Sequence, residues 1–138
     1  MYNVATWPND SKLGGVTLKA AGLIAADNSA TAVYLGKGNY RLVITWTACE
    51  VATGDEFYNI VIEGDRRDAA ATYYKVGALG CYGAANATGD TVTPESGSFE
   101  VGMLNPLDNN VRVRTYVNGT VATGMNFAVV AYPINSKQ

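Results

Sequence analysis

The 138-residue chain contains no histidine. That absence removes the commonest general base, the commonest metal ligand and any Ser-His triad. Chemistry would then fall to cysteine or to paired carboxylates. Cys49 in TACEV and Cys81 in LGCYG lack the neighbouring base that a thiolate nucleophile requires. Asp55-Glu56 and Glu63 with Asp65 are the candidates for a glycosidase-type pair. Adjacent strand residues point to opposite faces, so these charges are expected to cap loops on a solvated rim rather than to converge on one bond. The run EGDRRD at 63–68 offers carboxylates of the kind calcium takes. It lacks an Asp-x-Asp-x-Asp spacing, and Arg66 and Arg67 oppose a cation, so exposed salt bridges across a turn are expected there. GKGN at 36–39 has neither the Ser/Thr nor the helix of a phosphate loop and reads as a turn. No catalytic residue, metal or cofactor is assigned, and the chain is not expected to be an enzyme.

The elements that must position these groups follow from composition and alternation. Charged residues make up 16% of the chain and apolar ones 48%, with 15 Gly and 9 Tyr, a mixture that suits a turn-rich β protein. Alternating β-branched segments recur, and none keeps a helical apolar stripe for three turns. Eight strands are expected, at about 16–25, 31–35, 40–49, 57–64, 73–79, 97–104, 111–117 and 125–132. Gly, Asn and Asp collect in the connections 50–56, 105–110 and 118–124, as turns demand. Residues 80–96 read as a surface loop or a segment ordered by a partner. Residues 1–15, with Trp7 before Pro8 and then Gly14-Gly15, read as an extended N-terminal arm, leaving 16–138 as one domain.

One stretch is written twice. Glu50–Ile62 reads EVATGDEFYNIVI and Thr120–Tyr132 reads TVATGMNFAVVAY. An offset of seventy lays Val51–Gly54 on Val121–Gly124 and Phe57 on Phe127, so each copy is a strand, a loop and a strand. Two related hairpins in two halves of four strands are what a jelly roll contains, with two sheets face to face. The same offset sets Leu42 and Ile44 against Arg112 and Arg114. A one-residue bulge removes that conflict by exchanging faces. It would turn Leu42, Ile44 and Trp46 inward in one sheet and Val111, Val113 and Thr115 inward in the other. The competing arrangement turns Leu42, Ile44 and Trp46 outward beneath another subunit.

The formal net charge of −2 supplies no positive field for a polyanion, so nucleic acid is not an expected partner. No window resembles a signal peptide or a membrane span. A soluble protein made in a cytoplasm is expected, with Cys49 and Cys81 as packed thiols. Tyr2, Trp7, Tyr73, Tyr74, Tyr82 and Tyr116 fall in the arm, strand edges or loops. Tyr and Trp there close the ends of a sandwich, meet a protein surface or stack on sugar.

The segments EVATGDEFYNIVIEGD, YKVGALG and SGSFEVGMLNPLDNNVRVRTYVNGTVATGMNFAVVAY resemble the cement or decoration proteins of tailed-phage capsids. The likeness runs from about Tyr40 to Tyr132 and is carried by the strand-VATG-strand blocks and GSFEVGMLNP. It implies an eight-stranded antiparallel β-sandwich of jelly-roll type, placed on the outer surface of the virion head after synthesis in the host cytoplasm. It implies the major capsid protein as partner, self-association into a dimer or other small homo-oligomer, and no catalytic residues. The expected interface residues are Tyr2, Trp7, Tyr73, Tyr74, Tyr82, Arg112, Arg114 and Tyr116. The alternative is a receptor-binding tail or fibre tip, or a carbohydrate-binding module, on a similar sandwich.

Overall fold

A computed structural model describes residues 15–35, 39–66, 69–87, 92–104 and 108–134. The arm with Tyr2 and Trp7, the turn 36–38, and Arg67 and Asp68 lie outside the described residues. The strands are β1 (Val16–Ile24), β2 (Asn28–Ser29), β3 (Val33–Tyr34), β4 (Asn39–Cys49), β5 (Phe57–Arg66), β6 (Ala69–Tyr82), β7 (Gly97–Leu104), β8 (Asp108–Asn118) and β9 (Met125–Ile134). A single helical turn, α1 (Ala84–Ala87), follows β6. The chain is all-β, in two antiparallel sheets. One runs β1-β9-β4-β7; the other runs β2-β8-β5-β6, with β3 also on β8.

Nine strand segments stand among the described residues where eight were expected, because the short region after β1 makes two separate contacts with one edge of β8. Asn28 and Ser29 pair with Thr115 and Arg114, then Val33 and Tyr34 pair with Val111 and Asn110. β6 is longer than expected and takes in Gly80–Tyr82. Thr93 and Pro94, in the connection after it, are held in place: Thr93 Oγ1 accepts from the Tyr82 N–H at 2.9 Å and Trp46 Nε1 donates to the Pro94 carbonyl at 2.9 Å.

Alternation decides what is buried. Leu42, Ile44 and Trp46 of β4 face inward, as do Val111, Val113 and Thr115 of β8; of the six only Trp46, at 7%, exceeds 1% exposure. The arrangement with Leu42, Ile44 and Trp46 outward is thereby excluded within one chain. They join Phe127 and Val129 of β9 and Tyr58, Ile60 and Ile62 of β5 in one apolar cluster shared by both sheets. Full burial of a side chain such as Ile44 or Ile60 is worth about 2 kcal/mol. The bulge is found in β4: Trp46 pairs with Phe127, but the next partner of Asn126 is Ala48. The extra residue carries inward alternation from Trp46 to Cys49, both buried. Inward positions of the two copies thus correspond at an offset of sixty-nine, Ile44 with Val113 and Ile60 with Val129, while the VATG loops stay at seventy.

Lys19 and Thr115 are among the buried polar residues, and their surroundings differ. A register shift in β1 buries Lys19 beside Leu18, and its ammonium donates to the carbonyls of Phe127 at 2.8 Å and Ala20 at 2.9 Å. The Phe127 ring lies 4.1 Å from the same nitrogen, a cation–π contact strengthened by exclusion of water. Desolvation lowers the Lys19 pKa. The Thr115 hydroxyl, in contrast, is buried with no hydrogen-bond partner. Among the described residues no helix is long and apolar enough to cross a membrane.

Candidate functional site

The repeated VATG loops sit side by side, and each is a cradle for a carboxylate. Gly54 and Gly124 take left-handed φ values of 98° and 92°, a conformation that costs glycine little and turns successive N–H groups toward one point. In the first loop the N–H groups of Thr53 and Gly54 donate to Glu56 at 2.9 and 2.7 Å. In the second, those of Ala122, Thr123 and Gly124 all donate to Glu50 Oε1, at 2.9, 2.7 and 2.8 Å. Asp55 completes the tie by accepting from the N–H and hydroxyl of Thr120 at 3.0 and 2.9 Å. The Gly124 amide is the main cause that holds the Glu50 carboxyl below its ordinary pKa, and the Thr120 amide does the same for Asp55. The duplication is therefore a scaffold: two anion nests fastened by the chain's own acids. Glu56 corrects the expectation of a solvated rim, because it is wholly buried.

The two thiols lie close to this end. Cys49 and Cys81 are free and buried. Burial, with the Glu56 charge adding to it, pushes the Cys49 thiol up to about 11. Burial likewise pushes Cys81 up to about 12, with Cys49 contributing. Neither supplies thiolate near neutrality. A shallow hollow of about 390 Å³ opens between Leu23, Ala48, Cys49, Glu50, Glu95 and Thr123. Its one carboxylate held in place, Glu50, is already engaged by the second nest.

The residues expected at an interface converge elsewhere, on the outer face of the β2-β8-β5-β6 sheet. Odd positions of β8 point inward, which leaves Arg112, Arg114 and Tyr116 on the outside, each half-buried. Register sets Arg112 beside Glu63 and Lys75, Arg114 beside Val61 and Ala78, and Tyr116 beside Asn59 and Gly80. Arg112 Nε bonds Glu63 Oε1 at 2.7 Å, and its guanidinium lies 3.9 Å from the Tyr73 ring centroid. Arg114 lies 5.4 Å from the Tyr116 ring. Tyr82 stacks on Phe57, with centroids 6.1 Å apart. Tyr73, Tyr82, Arg112, Arg114 and Tyr116 thus share one surface.

Tyr74 does not join them, since it pairs with Gly64 one position off this row. Tyr116 lies on an interior strand of its sheet, not at an edge or loop. The basic side chains of EGDRRD, on which the expected cross-turn salt bridges depend, lie outside the described residues; Glu63 and Asp65 make contacts between strands, Glu63 with Arg112, and Asp65, 2% exposed, receiving the N–H and side-chain amide of Asn110 at 2.6 and 3.1 Å. Sequence reading did not select Phe57 or Tyr34, the latter 66% exposed at the same face beside Asn110. Alternation from Tyr58 would have placed Phe57 outside. The pairing of Tyr34 depends on the split between β2 and β3, which no local pattern announces. No family model matches the chain, and no curated protein matches it either.

Proposed function

We propose that this chain is a structural protein of the phage virion, a decoration or cement protein that binds the outer surface of the head and clamps neighbouring major capsid subunits. The fold underlying this reading is an eight-stranded jelly-roll β-sandwich, with β2 and β3 as two halves of one interrupted strand. The observation that carries it is the nested pairing. β1 pairs with β9, β2 and β3 with β8, β4 with β7, and β5 with β6. A long hairpin rolled up on itself produces that order, and such double Greek keys are recurrent in virion proteins. The sequence likeness over Tyr40–Tyr132 points to the same class.

The physics of the task suits the molecule. A ligand that binds only the assembled shell stabilises it by mass action, and many copies multiply a modest contact energy. Two sheets on one core, with their loops locked by Glu50, Asp55 and Glu56, give a stiff body that loses little entropy on docking. Labelled cryo-microscopy of purified particles tests the proposal. Density for the protein on heads that carry no tail is the expected result; density confined to tails, or absence from heads, rejects it.

A further inference from the structure

We infer that the outer face of the β2-β8-β5-β6 sheet is the docking surface, and that its partner is a carboxylate-bearing protein surface. On the proposed function, which this inference deepens and on which its choice of partner rests, that surface belongs to the capsid shell.

The argument begins with charge. Lys75, Arg112 and Arg114 stand on this face against Glu63 and the covered Asp65, on a chain whose formal charge is −2. Among the described side chains this face thus carries more cations than carboxylates, the reverse of the chain as a whole. Glu63 neutralises Arg112. Arg114 has no carboxylate within ion-pair distance among the described residues, and its register neighbours are Val61 and Ser29. A guanidinium backed by an aromatic ring loses side-chain freedom before binding and keeps its in-plane N–H fork, which matches a carboxylate with two parallel hydrogen bonds.

The rings also discriminate between partners. A saccharide platform needs open aromatic faces. Here Arg112 covers a face of Tyr73, Arg114 lies over Tyr116, and Phe57 stacks on Tyr82. Each of these rings has a face taken by a neighbour, with guanidinium donors beside them and Ala78 and Gly80 between; Tyr34, 66% exposed, stands apart on β3 at the edge of the sheet. Small residues in the middle let a partner surface approach the backbone closely, while the charged and aromatic groups ring the contact.

The test uses the full chain with two probes: purified tailless heads, and an immobilised poly-L-glutamate surface run against dextran as the neutral saccharide. Wild-type protein is expected on heads and on poly-L-glutamate but not on dextran, with retention that falls as salt rises. Arg114→Glu should weaken both interactions by roughly tenfold or more, Arg114→Lys by less, and Tyr116→Ala in between. Arg41→Glu, on the other sheet, should leave both unchanged. Equal head binding by wild type and Arg114→Glu overturns the inference while the head assignment stands. Retention on dextran in place of poly-L-glutamate overturns it in favour of a sugar. Loss of head binding by wild type, with the poly-L-glutamate preference intact, supports the acidic partner and rejects the head as its location.

Discussion

Glu50 and Gly124 hold each other twice: the Glu50 N–H donates to the Gly124 carbonyl at 3.1 Å, and the Gly124 N–H donates to Glu50 Oε1 at 2.8 Å. One contact is between backbones and the other is charge-assisted, so the second loop is fixed in both position and orientation. Gly124 has no alternative at this place. A Cβ there would strike the Ile24 backbone, and its φ is 92°.

The acids that fasten the loops make stability depend on pH with a definite sign. Glu50 and Asp55 have folded-state values below 4.5 and 3.8 respectively. The unfolded chain therefore binds more protons in mild acid, and the stabilisation is complete above those values and disappears as pH falls through the depressed ones. Thermal midpoints should be level near neutrality and decline below about pH 5. The Glu50→Gln, Asp55→Asn double variant should melt lower than wild type near neutrality and show a flatter acid limb. An acid limb as steep as wild type would mean that other carboxylates carry the effect.

Thr115 offers the opposite case, a buried hydroxyl with no partner. Thr115→Val keeps the shape and removes a desolvated polar group, so it should stabilise the protein by about 1 kcal/mol. The urea midpoint should rise with an unchanged slope.

At Gly77, β6 of one sheet passes close to β7 of the other: a Cβ would run into the Val101 carbonyl. Gly77→Ala should cost about 2 kcal/mol by forcing β6 from β7. Gly22→Ala, whose Cβ would meet nothing within 4 Å, should be neutral or slightly stabilising. Denaturant curves for the pair check both.

Ile44 is 0% exposed between the sheets. Ile44→Lys buries an unpaired ammonium and should cost at least about 4 kcal/mol, enough to leave the chain largely unfolded or insoluble. A folded, soluble monomer would contradict the inward orientation of β4.

Much of the fold could be read from period-two alternation, because burying one face of each strand writes itself into the sequence. The segment 97–104 coincides with β7, and the inward sets of β4 and β8 were legible once a bulge was allowed. The role of the acids was not. Glu50, Asp55 and Glu56 bond amides up to 74 residues away, and a carboxylate looks the same in sequence whether water or a nest of N–H groups receives it. The Glu63–Arg112 and Asp65–Asn110 contacts were hidden for the same reason, since cross-strand partners depend on register. The grouping of Tyr73, Tyr82, Arg112, Arg114 and Tyr116 needed three strands aligned at once.

The place of β9 bears on how the molecule is made. It lies between β1 and β4, so until residues 125–134 leave the ribosome, β1 has no neighbour and the long edge of β4 stands open. Early and late segments must meet before the interior closes, which makes folding slow and leaves the nascent chain prone to pairing with its own kind.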